Sequence, residues 1–275
     1  MTTTQMLEHG QQRVPMLPRA LEILQYRELL FTLAVRELKL RYRNSVLGFV
    51  WSLLNPLLMM AVFLLVFGVM MPNNGVKNFP AFLLAGILPW NWLAATIGGS
   101  VNCLVGNANL LKKVYFPAEV LPISAALANM INFLLAMVAF FAIFFAFGLT
   151  PTVTVVLLPV VMIVQLIFLL GASFFLSALN VSFRDTAVIM EVVIMAWFFF
   201  TPVFYDIHQL FPEYGRLMYI VNPAASLVSS YRLILLDGAW PEPLFLLRTF
   251  GTSLLVFVVG YAFFLRRVRR FGDEL

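Results

Sequence analysis

The sequence predicts an all-α integral membrane protein with six transmembrane helices, an N-terminal amphipathic interface helix and short external helices between spans five and six. Three observations predict this fold class: a surplus of apolar residues, long stretches without charge, and a strong asymmetry in the basic residues. Of the 275 residues, 62% are hydrophobic and only 11% are charged, which leaves too little polar surface to cover a soluble globule. Much of the apolar surface must therefore face lipid.

The uncharged stretches give the positions of the spans, because a helix needs roughly 20 apolar residues to cross about 30 Å of hydrocarbon. A turn signal at 148–151 divides the uncharged stretch 120–183 into spans three and four. A further run, 217–231, is too short for a span and is predicted as two external helices broken at Asn222-Pro223. The other predicted spans are the first over 51–71, the second over 81–102, the fifth over 186–204 and the sixth over 244–265.

The basic residues predict that both termini lie in the cytoplasm. In that orientation fourteen Lys and Arg residues lie inside and four lie outside, in agreement with the positive-inside rule. The chain then divides into a cytoplasmic tail (1–20), an amphipathic interface helix (21–45), a six-span membrane domain (46–265) and a basic cytoplasmic tail (266–275).

The segment before the first span has the pattern of an amphipathic helix. Its predicted apolar face carries Leu24, Phe31, Val35, Leu38 and Tyr42. Its predicted basic face carries Arg36, Lys39 and Arg43, with Arg41 nearby. This pattern is typical of a helix that lies in the cytoplasmic interface with its cations near anionic headgroups. The alternative is an ordinary basic flank that only fixes topology.

Several classes of function are excluded or disfavoured by what the sequence lacks. Ion-coupled transport needs ionisable groups near the bilayer centre, but Glu191 is the only acidic residue within a predicted span, and there it can pair with Arg184 near the cytoplasmic end. The sequence has no Gly-Lys-Ser/Thr phosphate loop for ATP. Its histidines are His9 and His208, outside the predicted spans, and its single cysteine is Cys103, so no catalytic, metal or cofactor site is expected. A membrane-embedded transferase that uses a lipid-linked donor, and a membrane scaffold, remain as alternatives.

Five segments resemble a known family of membrane proteins. In chain order they are 41–56, 111–122, 177–185, 201–205, and Asn222-Pro223 followed by Tyr231-Arg232. Together they are similar to the permease subunits of ABC transporters that export polysaccharides, namely O-antigen, capsular polysaccharide and teichoic acid. The resemblance covers residues 36–265.

The resemblance implies a homodimer of this permease, with two copies of a separate ATPase subunit that binds ATP and Mg²⁺. The implied substrate is a lipid-linked polysaccharide of lipopolysaccharide biosynthesis or capsule formation, moved across the bacterial inner membrane. Membrane lipids are expected as further partners, and nucleic acid is not. A permease for a drug or a small lipid is the alternative within the same class.

The resemblance also implies roles for individual residues. Segments on the cytoplasmic side are expected to couple the permease to the ATPase through Lys112, Lys113, Tyr115, Phe116, Glu119, Arg184 and Asp185. The lysines could alternatively serve topology alone. The basic residues Arg36, Lys39, Arg41 and Arg43 are expected to hold the lipid phosphate.

An aromatic cluster near the end of span five is a candidate substrate pathway. Its members are Trp197, Phe198, Phe199, Phe200, Phe204 and Tyr205. Aromatic rings offer sugars broad, weak stacking surfaces, but they are also typical of the belt at a membrane interface. Both interpretations remain open from the sequence.

Overall fold

A computed structural model describes residues 22–41, 45, 47–63, 65–66, 78–146, 148–207 and 213–274, and these residues form helices, turns and loops only. The helices are α1 (Arg27–Arg41), α2 (Trp51–Phe63), α3 (Phe79–Val101), α4 (Cys103–Gly106), α5 (Ala108–Lys113), α6 (Val120–Ala146), α7 (Leu158–Ser182), α8 (Thr186–Phe200), α9 (Gly215–Val221), α10 (Pro223–Arg232), α11 (Pro243–Arg267) and α12 (Phe271–Glu274). Short 3-10 helices cover Gly48–Val50, Val153–Leu157 and Val268–Arg270, and a π-helical turn covers Leu233–Asp237. The predicted all-α class is confirmed.

Four helical segments of the described chain are long and apolar enough to cross a bilayer. They are Phe79–Val101, Val120–Ala146, Val153–Ser182 and Pro243–Arg270, and they match predicted spans two, three, four and six. Predicted spans three and four are separated at Gly148, whose φ of +70° is the left-handed conformation that glycine adopts readily.

The predicted first and fifth spans are shorter in the described chain. Span one is described as α2 together with residues 65 and 66, and residues 64 and 67–77 lie outside the described residues. Helix α8 has 15 residues, which gives about 22 Å at 1.5 Å per residue. It ends at Phe200, before the predicted end at 204, because Pro202 forces the preceding Thr201 into an extended conformation (φ −101°, ψ 131°). A count of six spans stays a prediction.

The tightest helix contact joins α7 to α11 through two glycines. A Cβ on Gly171 would lie 2.5 Å from the backbone N and Cα of Phe257. A Cβ on Gly260 would overlap the carbonyl oxygen of Gly171. Only glycine at both positions lets these two backbones approach so closely.

Two apolar cores lie along the bundle. The larger core is built mainly from α3, α6, α7 and α10, and α3 is the most buried of the four long helices. The second core gathers Leu30 and Leu33 of α1, Leu104 of α4, Phe116, and Phe174 of α7, together with the ends of α11 and α12.

Polar side chains link α3 to α7. Gln165 Nε2 donates a hydrogen bond to the carbonyl oxygen of Pro89 at 2.8 Å. Asn180 Nδ2 donates to the carbonyl oxygen of Val101 at 3.0 Å and to Asn102 Oδ1 at 3.2 Å. Such bonds fix the relative position of two apolar helices, where unpaired amides would be costly.

The buried residues of α1 share only Leu38 with the predicted apolar face. They are Leu30, Leu33, Ala34 and Leu38, the last two against Ala128 of α6. By contrast, Leu24 and Phe31 are 63% and 65% exposed. The predicted apolar face is directed at the membrane interface and stays a prediction, whereas contact with α6 buries the neighbouring stripe.

Candidate functional site

The structure separates the two aromatic residues proposed to contact the ATPase. Tyr115 is 81% exposed on the loop that follows α5, and its neighbour Val114 is 52% exposed. Phe116 is only 7% exposed and belongs to the second core, packed with residues such as Leu104 and Phe264. Tyr115 is therefore available to a partner protein, whereas Phe116 holds the loop to its own chain.

The charged members of this candidate surface lie on either side of that loop. Lys112 and Lys113 form the last turn of α5 and are partly or largely exposed. Glu119 is fully buried immediately before α6. The two lysines are therefore accessible to a partner protein, whereas the side chain of Glu119 is not.

The loop after α7 is joined to the C-terminal helix. Ser182 Oγ donates to Glu274 Oε2 at 2.6 Å and accepts from Arg267 Nη1 at 3.0 Å. Arg184 and Asp185 are exposed, and Arg184 Nη2 donates to the carbonyl oxygen of Glu274 at 3.5 Å. Within the described part of the chain, Arg184 forms no ion pair with Glu191. The C-terminal helix lies beside Arg184 instead.

The C-terminal segment also has an apolar anchor. Phe271 is 5% exposed and packs against Phe264, with ring centroids 5.5 Å apart. Residues 266–274, predicted as a basic tail, therefore pack as short helices beneath the loop that carries Arg184 and Asp185.

The basic residues of α1 are exposed beside a small polar cavity. Arg36 and Lys39 are exposed. Arg36 lines a cavity of about 250 Å³ together with Glu37, Asn102 and Asn107. The side chain of Arg41 and the whole of Arg43 lie outside the described residues.

The aromatic cluster divides into packed and exposed rings. Trp197 packs edge-on against Trp90 and Phe168, with centroids 6.0 and 6.2 Å apart. Phe198 lies in an aromatic group with Trp90 and Phe204. Trp197 and Phe198 are therefore half-buried and pack against the larger core.

The other rings of the cluster lie in the last turn of α8 and in the segment that follows it. Phe199 and Phe200 are 59% and 67% exposed. Tyr205 Oη donates to the carbonyl oxygen of Phe199 at 3.2 Å, and the Tyr205 ring packs on Phe204 with centroids 5.1 Å apart. Phe204 and Tyr205 lie in the turn after α8 and not within it.

Asn222 joins the end of α8 to the start of α10. Its Oδ1 caps α10 by accepting from the backbone N–H groups of Ala224 and Ala225 at 3.0 and 3.3 Å. The same atom accepts from Trp197 Nε1 at 2.8 Å. Its Nδ2 donates to the carbonyl oxygen of Phe200 at 3.1 Å and to Thr201 Oγ1 at 3.0 Å. One amide therefore satisfies the polar groups of both helix ends.

Arg232 connects the same region to α3. Its guanidinium donates to the backbone carbonyl oxygens of Phe82, Pro202 and Val203, and Cζ lies 3.5 Å above the centroid of the Phe82 ring. A Cβ on Gly86 would lie 2.6 Å from Nη2, so only glycine leaves room for this arginine. Burial lowers the pKa of Arg232 to about 9, and the group therefore stays protonated at neutral pH.

Sequence reasoning missed the roles of Asn222 and Arg232. Asn222-Pro223 was interpreted as a helix break, and Arg232 was counted as an external charge. The available signal was that both lie in segments of the family resemblance, as does the Thr201-Pro202 dipeptide that they contact. Nothing in the sequence indicated that Arg232 contacts α3, because 150 residues separate it from Phe82.

Comparison with known proteins confirms the family resemblance. Residues 28–236 match the ABC-2 type transporter family. The chain is 40% identical over 255 residues to the O-antigen export system permease protein RfbA of Myxococcus xanthus, covering 92% of this chain and 98% of that protein. It is 32% identical to RfbA of Klebsiella pneumoniae, covering 90% of this chain and 95% of that protein. It is 22% identical to the polysialic acid transport protein KpsM of Escherichia coli, covering 86% of this chain and 92% of that protein.

The matched region begins within α1 and ends in the π-helical turn after α10, so it contains the candidate coupling segments, the aromatic cluster, Asn222 and Arg232. Three helical segments long enough to cross a bilayer lie within it, and the fourth follows directly. The chain therefore belongs to the ABC-2 type transporter family, as a multi-pass membrane permease whose partner ATPase binds the ATP.

Proposed function

We propose that this chain is the membrane permease of an exporter that moves a lipid-linked polysaccharide, an O-antigen-like or capsular glycan, across the bacterial inner membrane. The observation that carries the proposal is the 40% identity to an O-antigen export permease over nearly the full length of both chains. The lower similarity to a polysialic acid transport protein supports a polymeric sugar as the substrate class. A drug or small-lipid permease, the alternative, has no comparable support.

The proposed assembly contains two copies of this chain and two copies of the ATPase. Each copy crosses the membrane six times, with both termini in the cytoplasm. Helix α8 supports the dimer, because it leaves a broad apolar surface uncovered in the single chain: Val188, Ile189, Val192, Met195, Phe199 and Phe200 are each more than half exposed. Glu191 is exposed on the same helix, and a carboxylate is costly against lipid tails. We expect this helix to face the second copy or the substrate path.

The proposed ATPase contact is formed by Lys112, Lys113 and Tyr115, with Arg184 and Asp185 as a second contact. Exposure of Tyr115 supports the first contact, because a large ring on a cytoplasmic loop is usually covered by a partner. Phe116 and Glu119 shape that loop from within.

The proposed substrate path begins at α1 and passes the aromatic cluster. Arg36, Lys39, Arg41 and Arg43 are proposed to hold the pyrophosphate of the lipid carrier at headgroup depth. Phe199 and Phe200 are the most exposed rings of the cluster and are proposed to meet sugar.

The direct test is transport by the purified complex. Permease and ATPase are reconstituted together in vesicles that contain a lipid-linked glycan, and transfer of the glycan across the membrane is measured with an enzyme that cleaves only accessible sugar. We expect transfer that requires ATP and stops when the ATPase is inactivated. ATP-dependent transfer of a drug or a simple phospholipid, with no transfer of glycan, would contradict the proposal.

Phosphate recognition needs a separate experiment, because the same arginines could serve topology alone. Exchange of Arg41 and Arg43 for Lys keeps the positive charge but removes the bidentate geometry that guanidinium offers to phosphate. We expect reduced export with unchanged orientation and protein level. Wild-type export in this double variant would leave these residues as topology signals only.

A further inference from the structure

A cavity of about 780 Å³ lies away from the candidate coupling and pathway residues, between α9, α10 and the first two turns of α11. This volume is within the usual range for small-molecule sites. Polar, aromatic and aliphatic groups line it, including Tyr219, Ser229, Glu242, Leu244, Phe245 and Arg248. The cavity straddles the end of the family match at residue 236, and the transport mechanism proposed above assigns it no role.

Opposite charges line this cavity without neutralising each other. In the part of the chain that the structure describes, no ion pair joins Glu242 to Arg248. Arg248 is held in place by hydrogen bonds from Nη2 to the carbonyl oxygen of Tyr219 at 3.0 Å and to Ser226 Oγ at 3.4 Å. A guanidinium carries five N–H donors, so Nε and Nη1 can serve a ligand. Glu242 is exposed immediately before α11 and can accept hydrogen bonds from a cation.

Exposed apolar side chains of α9 and α11 line the cavity or are adjacent in sequence to residues that line it. Leu244 and Leu247 of α11 are 70% and 65% exposed, and Ile220 and Val221 of α9 are 50% and 72% exposed. Helix α11 is also the least buried of the four long helices, as expected for a span at the lipid boundary. Arg248 lies five residues into α11, which is about 7.5 Å along the helix axis. A ligand in this cavity would therefore have its polar part at headgroup depth and apolar groups beside exposed leucines.

We propose that this cavity binds the headgroup of a zwitterionic phospholipid, with Arg248 on the phosphate and Glu242 on the ammonium group. Arginine pairs strongly with phosphate, and a carboxylate accepts charge-assisted hydrogen bonds from an ammonium. Phosphatidylglycerol has a net negative charge and no ammonium group for Glu242, so the site selects phosphatidylethanolamine over phosphatidylglycerol. Placement in the outer leaflet rests on the topology in the proposed function, whereas the lipid chemistry does not.

Photochemical crosslinking tests this site without any transport measurement. The permease–ATPase complex is placed in lipid nanodiscs with a phosphatidylethanolamine that carries a photoreactive group near its glycerol, and the labelled peptides are identified by mass spectrometry. A phosphatidylglycerol with the same photoreactive group serves as the matched probe. We expect the phosphatidylethanolamine probe to label residues 217–248 at least fivefold more than the matched probe.

Two variants separate binding from folding. Arg248→Gln should reduce labelling by both probes at least fivefold, but it also removes the bond to Tyr219 and could perturb α9. Glu242→Gln is an exposed change, and it should reduce labelling by phosphatidylethanolamine while labelling by phosphatidylglycerol stays equal or increases.

Equal labelling by both probes in the wild type, unchanged by Glu242→Gln, would overturn the proposal. Displacement of the lipid probe by soluble glycan would also overturn it, in favour of a sugar site. Failure of glycan export in the reconstituted complex would leave these results unaffected.

Discussion

Asn222 shows how one buried amide can hold two helix ends together. Its oxygen accepts three hydrogen bonds and its nitrogen donates two, and the partners lie on α8, on the turn after it and on α10. Arg232 acts in the same region through carbonyl oxygens of α3 and of the 201–203 turn. These two residues make the segment between the fifth and sixth predicted spans a fixed part of the bundle.

Replacement of Asn222 should therefore destabilise the protein. Asn222→Ala removes the α10 cap, worth about 1 kcal/mol, and leaves buried groups such as Trp197 Nε1 unpaired, at about 1–3 kcal/mol. We expect a loss of roughly 2–4 kcal/mol in the free energy of unfolding, measured by denaturation of the purified permease in detergent.

Asn222→Asp is the informative companion variant. It keeps the cap and the bond from Trp197, but it places a carboxylate oxygen against the carbonyl oxygen of Phe200. We expect it to be less stable than wild type as well. Wild-type stability in both variants would show that the amide does not hold these helix ends together.

Among the elements, the pair α7 and α11 depends on close backbone contact. The packing surface contains Gly171 and Gly260, and either one would lose its fit with a single added methyl group. Helix α3 also carries small residues, but a Cβ on Gly98 would have its nearest neighbour at 4.0 Å. Small residues permit close packing, but only the fold decides which of them need it.

Gly260→Ala should therefore separate α7 from α11 and destabilise the permease by about 1–3 kcal/mol, the usual range for overpacking. The matched control is Gly251→Ala on the same helix, where a Cβ has no neighbour within 4 Å. That variant should be neutral or more stable by up to about 1 kcal/mol, because alanine favours helix. Equal effects of the two substitutions on the midpoint of thermal unfolding would contradict the contact.

The loop between α5 and α6 combines an exposed ring with a buried one. Since Tyr115 is exposed and Phe116 belongs to the second core, a double substitution cannot separate a coupling defect from a folding defect. Single substitutions can.

Tyr115→Ala should leave folding intact but reduce co-purification of the ATPase or uncouple ATP hydrolysis from export. Phe116→Ala should lower the free energy of unfolding by about 3–5 kcal/mol, as expected for truncation of a buried phenylalanine. The two variants are compared by thermal unfolding, ATPase co-purification and export. Normal assembly, hydrolysis and export in Tyr115→Ala would remove this residue from the proposed contact.

At the scale of the whole molecule, orientation follows from charge and can be measured by cysteine labelling. The native Cys103 is buried and should stay silent to a membrane-impermeant thiol reagent. Tyr214 is 60% exposed before α9, and Asn109 is exposed on α5. From outside intact cells, the reagent should label Tyr214→Cys but not Asn109→Cys, and cell lysis should make the second position reactive. The reverse pattern would overturn the proposed topology.

The sequence by itself determined the class of this protein and most of its helices. A chain with this much apolar surface must place part of it against lipid. Charge-free runs of about 20 residues locate the spans without reference to tertiary contacts. The predictions for Phe79–Val101, Val120–Ala146 and Pro243–Arg267 succeeded for this reason. The break at Asn222-Pro223 was also predictable, since proline restricts the residue before it.

The tertiary structure alone decided which side chains those helices use, because burial depends on neighbours that are distant in sequence. Hydrophobic periodicity predicted an apolar face of α1 that includes Leu38, but it gave no sign that contact with α6 also buries Ala34. Adjacent aromatic residues looked equivalent in the sequence, but Tyr115 is exposed and Phe116 is buried. The sequence placed Arg232 among the external charges. In the structure it is buried and donates to backbone carbonyl oxygens, because Gly86 of α3 leaves space for its guanidinium.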